Sequence, residues 1–282
     1  MSVLCIFAGN TYVQGSFMSV TRLSMVNLLA FLLLLFYGAG NINCSTVNHG
    51  NSTDMLALLD FKAATNDPTG ALRSWNRSIH YCNWTGVRCS SFNTRRVAAL
   101  QLPGQSLSGE ITPSLGNLTF LRILNLSYND FAGHLPPLNL NQLRELIVLD
   151  LSSNSFQGTI PDSLTNCSNI MALDLSRNML QGPIPTKIGS LYNLIGMDLS
   201  KNNLTGVIPP SISNATQLQL LNLRDNQLRG SIPAELGRLS NMLVLFFGGN
   251  RLSGTIPDVF GQLSQLVKLD LSYNNLQGVL PP

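Results

Sequence analysis

The chain has 282 residues, only 11% of them charged, with a formal net charge of +3. Its longest basic run is Arg95-Arg96, so the sequence lacks the electrostatic footprint of a nucleic-acid-binding protein. Aromatics make up 7%, and leucine, asparagine, glycine and serine dominate, which points to one short pattern used many times.

The first element in chain order is a leader. Residues 25–40 read MVNLLAFLLLLFYGAG, with Arg22 ahead and Gly38-Ala39-Gly40 at the exit. A basic start, a short apolar middle and a small-residue exit define a secretory signal peptide, expected over residues 1–40, with Met18 or Met25 as alternative starts. An uncleaved signal anchor is the competing reading, but the apolar stretch is shorter than the roughly 20 residues that span a bilayer. No second stretch of spanning length follows, so membrane attachment is expected only through a carboxy-terminal segment beyond Pro282. Of the five cysteines, Cys5 and Cys44 lie in or beside the leader, and secretion would place Cys82, Cys89 and Cys167 in an oxidising compartment, where paired thiols become disulfides. Nine N-x-S/T tripeptides agree with that route. The glycosylation candidates are Asn51, Asn76, Asn83, Asn117, Asn166, Asn203 and Asn214; Asn43 lies beside the leader, and Asn125 falls on a strand.

Residues 41–96 precede any regular pattern. Within them, 54–89 read DMLALLDFKAATNDPTGALRSWNRSIHYCNWTGVRC. Asp54 stands where a helix N-cap belongs, ahead of the helix formers MLALLDFKAA, and Asp67-Pro68-Thr69-Gly70 is a turn signal.

From Val97 onward the chain repeats itself. Units begin at Val97, Leu121, Leu146, Ile170, Leu194, Leu218, Met242 and Leu266, spaced by 24 residues except for one step of 25. The shared pattern is L-x-x-L-x-L-x-x-N-x-L-x-G-x-I-P, and the eighth unit is incomplete at Pro282. Alternation in segments such as Leu149-Asp150-Leu151 is that of a short strand. Asparagine at position nine (Asn129, Asn154, Asn178, Asn202, Asn226, Asn250, Asn274) can donate to and accept from backbone groups that the following turn leaves unpaired. Glycine at position thirteen allows a tight bend, and Ile-Pro sets an extended stretch. One unit cannot bury its leucines, but a stack buries a continuous core that needs a polar-faced cap over its first coil. Trp75 and Trp84 are expected to cover that edge. Position 22 is an inward slot, so Cys167 reads as a small buried apolar residue.

The 24-residue unit with its internal L-x-G-x-I-P resembles the plant-specific class of extracellular leucine-rich repeats over residues 97–282. The elements ALLDFK (57–62), DPTG (67–70), SWN (74–76) and C-x-W-x-G-V-x-C (82–89) resemble the amino-terminal cap of plant receptor-like kinases. The resemblance implies an α/β repeat solenoid: a right-handed superhelix with a parallel sheet on its concave face, a helical amino-terminal cap, and a second short sheet at the Ile-Pro segments. It also makes Cys82 and Cys89 the expected disulfide; a metal site would need more ligands than the nearby His80.

Outward strand positions carry any binding function. Position five gives Gln101, Asn125, Asp150, Asp174, Asp198, Asn222, Phe246 and Asp270, and position seven is mostly serine. These are the repeat's usual filling and read as solvated strand. The departures are Arg177, Lys201 and Arg224 in three successive units, and Phe246, which alternation places outward and exposed. These four are the candidate ligand contacts. Stacked strands about 4.8 Å apart suit an extended peptide or a partner's edge better than a deep pocket. No catalytic residues, cofactor or metal are expected: kinase G-x-G-x-x-G, H-R-D and D-F-G motifs are missing, and His49, His80 and His134 are scattered. The expected function is the extracellular binding module of a receptor-like kinase, taking a peptide or protein ligand on the concave face and a co-receptor beside it. It would sit at the cell surface when part of a longer chain, and in the apoplast otherwise. The alternative is a freestanding secreted inhibitor of pathogen wall-degrading enzymes, but such proteins close with a carboxy-terminal cap that this sequence does not show before Pro282.

Overall fold

The computed structural model describes residues 4–5, 52–90, 95–135 and 142–279. The leader expected over 1–40 lies outside the described residues apart from the strand Leu4–Cys5, as do Asn43 and Asn51.

Each repeat contributes one three- to five-residue strand: Val97–Gln101, Ile123–Asn125, Val148–Asp150, Ala172–Asp174, Gly196–Asp198, Leu220–Asn222, Val244–Phe246 and Lys268–Asp270. They pair in parallel in chain order, each position against its equivalent, as in Ala172↔Gly196 and Gly196↔Leu220. Val87–Cys89 pairs antiparallel at one end and Leu4–Cys5 parallel at the other, completing a ten-stranded sheet. The leucines behind this sheet, at positions one, four and six, form the core: Leu194, Met197 and Leu199 are all within 1% of complete burial.

A second ladder follows the turn, with strands such as Asp130–His134, Ser155–Gly158 and Met179–Pro183, in one run of six strands and another of three. It lies before the Ile-Pro dipeptides, not at them as the resemblance implied. Proline has no N–H to give a ladder, and its fixed φ suits the start of a helical turn. Accordingly Pro161, Pro209, Pro233 and Pro257 each stand at the N-cap of a short 3-10 turn that carries the chain across the back of the coil. Position 22 closes the circuit inward, and Cys167 there is completely buried, its thiol pushed up to about 11 by that burial. Such a thiol is inert.

The position-nine asparagines form the expected internal ladder. The Asn202 amide donates to the carbonyls of Leu175 (3.0 Å), Leu199 (3.1 Å) and Ser200 (3.3 Å), and its Oδ1 accepts from Leu180 N–H at 3.0 Å. Each asparagine thus ties its own turn to the preceding repeat, and the same set recurs at Asn178, Asn226 and Asn250. Glycine at position thirteen answers two demands. Gly206 has φ +78, and a Cβ there would stand 3.3 Å from the Cβ of Pro183 in the repeat before. The position-fourteen side chain of one repeat therefore packs over the glycine of the next.

The cap begins with helix α1, Ser52–Ala64. Asp54 is not its N-cap. It lies within the first turn, completely buried, and its carboxylate accepts from Arg96 Nε (2.9 Å) and Nη2 (2.8 Å) and from the Val97 N–H (2.9 Å). The Arg96 guanidinium also donates to Thr119 Oγ1 and lies 4.6 Å from the centre of the Phe120 ring. One carboxylate so fastens the cap to both ends of the first repeat. Trp75 and Trp84 stack at 5.5 Å, both buried, and each indole N–H reaches a backbone carbonyl, Thr85 and Asn76 respectively. Cys82 and Cys89 are joined by a disulfide across Cα atoms 5.4 Å apart. Closing so short a loop removes about 2–3 kcal/mol of freedom from the unfolded chain. A Cys82→Ser/Cys89→Ser double variant should therefore melt roughly 4–12 °C lower, as read by circular dichroism.

Candidate functional site

The outward columns of the long sheet are not solvated strand. In-register pairing stacks Asp150, Asp174 and Asp198 on three neighbouring strands, followed by Asn222 and Phe246. Asp150 and Asp198 are buried, as are Ser127, Ser152, Ser176 and Ser200 of position seven. Neighbours at strand spacing cover these short side chains from both sides, which alternation within one strand does not reveal. Each carboxylate folds onto the serine two residues on. Asp150 Oδ1 accepts from Ser152 N–H and Oγ (2.7 Å), Asp174 Oδ1 from Ser176 N–H, and Asp198 Oδ1 from Ser200 N–H, while Asn222 donates to Asp198 Oδ2 at 2.9 Å.

Burial pushes all three carboxyls above the ordinary carboxylate range, and repulsion from neighbouring carboxylates adds to it at Asp150 and most strongly at Asp174 in the middle. Arg177 opposes this at Asp198. A raised folded-state pKa means the native chain binds more protons than the unfolded one, so stability falls as pH rises through the interval between ordinary and raised values. Acidification from neutral pH should therefore stabilise this part of the protein. Asp174→Asn should melt higher than the parent at neutral pH and show a flatter pH dependence; an unchanged pH profile would rule out a strained acid row.

Position eight forms the next column, in the left-handed region: Tyr128, Ser153, Arg177, Lys201, Asp225 and Tyr273 have φ between 53° and 56°. Arg177 is exposed and Lys201 partly so. Arg224, at position seven, is exposed but tethered: its guanidinium pairs with Asp270 at 3.1 Å, two repeats on, and with Asp225 at 3.5 Å. Gly248 lies between, where a Cβ would come 2.8 Å from both Asp270 carboxylate oxygens. The replacement of serine by Gly248 thus leaves room for the bridge. Phe246 is half-buried beside it, not fully exposed as alternation implied. The structure places the four candidate contacts on one sheet face but draws Arg224 into an internal ion-pair network that its sequence distance from Asp270 concealed.

The same face holds a feature that sequence reasoning missed. A shallow groove of about 370 Å³ runs along the edge where the strands begin, lined by Ile147, Met171 and Ile195 at position two and by Glu145, Asn169 and Asn193. Its signal was three consecutive apolar residues at an outward position. Elsewhere, the glycosylation candidates Asn76, Asn83, Asn117, Asn166, Asn203 and Asn214 are all exposed, whereas Asn125 is half-buried with its Oδ1 bonded to Ser127. Among the described residues no group of three His, Cys, Asp or Glu could hold a metal, and no helix is long and apolar enough to cross a membrane.

Comparison with known families matches residues 51–90 to the leucine rich repeat N-terminal domain, and residues 119–180 and four blocks within 193–282 to leucine rich repeats. The chain belongs to the plant leucine-rich-repeat family. It is 41% identical over 141 residues to phytosulfokine receptor 1 of Arabidopsis thaliana, a match taking in 50% of this chain and 14% of that receptor. Among solved structures it resembles the PEPR1–AtPEP1 complex, with a TM-score of 0.77 at 34% identity over 82% of this chain and 33% of that one. It also resembles the ectodomain of the Arabidopsis receptor kinase HAESA in complex with an N-terminally extended IDA peptide hormone, with a TM-score of 0.65 at 31% identity over 82% of this chain and 42% of that one.

Proposed function

We propose that this chain is the extracellular ligand-binding module of a plant receptor-like kinase, displayed at the cell surface, which reads a peptide or protein on the open face of its long sheet and engages a co-receptor alongside. The observation that carries the reading is the sheet itself: eight in-register parallel strands with a polar row at position five, three successive apolar residues at position two, and Arg177 and Lys201 side by side at position eight. Its likeness to receptor ectodomains, one of them holding a peptide hormone, supports this over the secreted-inhibitor alternative. The serine/threonine kinase activity would reside in another part of the longer chain. Arg177, Lys201, Arg224 and Phe246 are the contacts assigned to the ligand. The leader over 1–40 would direct secretion, the cap would occupy 41–96 and the repeats 97–282, with glycans at the exposed candidates.

The test is an Arg224→Ala/Phe246→Ala variant, assayed against a peptide retained by the wild-type protein from apoplastic fluid. Affinity should fall at least about tenfold, corresponding to roughly 1.4 kcal/mol. The melting temperature should fall by roughly 3–6 °C, most of it from the half-buried Phe246 ring because exposed ion pairs contribute little, which leaves the protein folded under the assay conditions. Unchanged affinity would remove these residues from the site.

A further inference from the structure

The groove at the start of the strands is amphipathic. Ile147, Met171 and Ile195 form its apolar side, and the amides of Asn169, Asn193 and Gln217 its polar side. Arg122 and Glu145, of opposite charge, share its far end. At the near end stands the tripeptide Asn214-Ala215-Thr216, an N-glycosylation acceptor. Asn214 closes the 3-10 turn Pro210–Asn214 and is exposed, and Gln217 on the groove's rim follows three residues later. We propose that Asn214 carries an N-linked glycan whose first sugars lie in this groove, against Ile195 and Met171. Attachment forms the bond from Asn214 Nδ2 to C1 of the first sugar; the lipid pyrophosphate that carried the glycan is the leaving group, and one Nδ2 proton is released. The assignment rests on the secretory reading of the leader, and it narrows the ligand's share of the sheet face to positions five to eight.

Three observations point to a sugar as the occupant. The first is reach. Ala215 and Leu218 are buried, and the Leu218 N–H closes a turn onto the Ala215 carbonyl at 2.9 Å, which leaves Thr216 and Gln217 outward and exposed. Three residues of chain span at most about 10 Å, so a glycan on Asn214 starts within a sugar or two of the rim. The second is chemistry. Asn169 and Asn193 each give one N–H to a carbonyl of the preceding repeat, Arg144 at 2.8 Å and Ser168 at 3.1 Å. The other N–H and the oxygen of each amide remain on the rim, and a donor beside an acceptor matches a pair of adjacent hydroxyls. The C–H face of a sugar ring lies on aliphatic side chains such as Met171 and Ile195. These amides recur once per repeat, at a strand spacing of about 4.8 Å, close to the advance per sugar of a β-linked chain. The third is what the groove lacks. The carbonyls of Ile147, Met171 and Ile195 each already accept two N–H groups from the next repeat, so no main-chain ladder is offered to a peptide. From Asn169 to Gln217 the lining is uncharged, so nothing there selects an ionic side chain.

The experiment treats the full chain, secreted from plant cells, with dilute hydrogen peroxide and follows methionine sulfoxide by peptide mass spectrometry. Glycopeptides of the wild type should show Asn214 occupied. Asn214→Gln should speed the oxidation of Met171 at least about fivefold, since the glycan no longer covers its sulfur. Met179, 48% exposed on the second ladder, should oxidise at the same rate in both proteins. Asn203→Gln, which removes an acceptor on that ladder, should leave both methionines unchanged. Should Asn214→Gln fail to be secreted, enzymatic removal of glycans from the folded wild type takes its place. An unoccupied Asn214, or equal Met171 rates with and without its glycan, overturns the proposal. Acceleration in Asn166→Gln instead gives the groove to that residue's glycan and refutes Asn214 as the source. Glycans on other acceptors with Met171 unprotected sink this inference alone, whereas a chain bearing no glycan at all overturns the secretory reading with it.

Discussion

Asn202→Ala should lower the melting temperature by roughly 6–12 °C, a loss of about 3 kcal/mol. The four hydrogen bonds of that side chain serve three carbonyls and one N–H inside the coil, where water cannot replace them. Removing the amide leaves those groups unpaired and opens a gap between two repeats. Asn202→Asp should be no milder: it keeps the acceptor but replaces the donor by a second acceptor facing three carbonyl oxygens, with a charge to bury. Calorimetry of the two variants checks this, and a shift of under about 2 °C in both would mean that the ladder is incidental to stability. Because each repeat contacts only its neighbours, hydrogen exchange should rise in the repeats on either side of Asn202 and little in the cap.

The second large effect belongs to Asp54. Asp54→Ala would strand the Arg96 guanidinium, only 13% exposed, without its counter-charge. Breaking a buried pair from one side costs about 3–5 kcal/mol, whereas removing both charges is often tolerated. The single variant should accordingly loosen the cap and the first repeat, seen as faster exchange at α1 and at Val97–Gln101. The double variant Asp54→Leu/Arg96→Met should recover most of the loss. Equal destabilisation by single and double variants would show that shape, not charge, fastens the cap.

These two effects differ in how far the sequence announces them. The asparagine recurs every 24 residues, so its role as an internal ladder is readable from period and chemistry alone. The Asp54–Arg96 pair joins residues 42 apart and occurs once, so Asp54 resembles an ordinary N-cap until the coil closes and carries Arg96 to it. The same contrast runs through the functional face. Which residues share a column is fixed by the repeat, and Arg177, Lys201, Arg224 and Phe246 do lie on one sheet face. How deeply a column is buried depends on neighbours one strand away. Asp150 and Ser152 therefore look solvated in their own strand and are buried in the sheet. The Arg224–Asp270 bridge spans two repeats through room left by Gly248, a relation that no local pattern encodes.

The central claim is that ligand meets the open face of the long sheet. It is tested most directly by placing a photoreactive benzophenone side chain at Arg177, on that face, or at Val207, which is 53% exposed just beyond the second ladder. After illumination with an apoplastic peptide fraction, mass spectrometry should find peptide adducts on the Arg177 protein and none above background on the Val207 protein. Adducts at Val207 equal to or greater than those at Arg177 would contradict it.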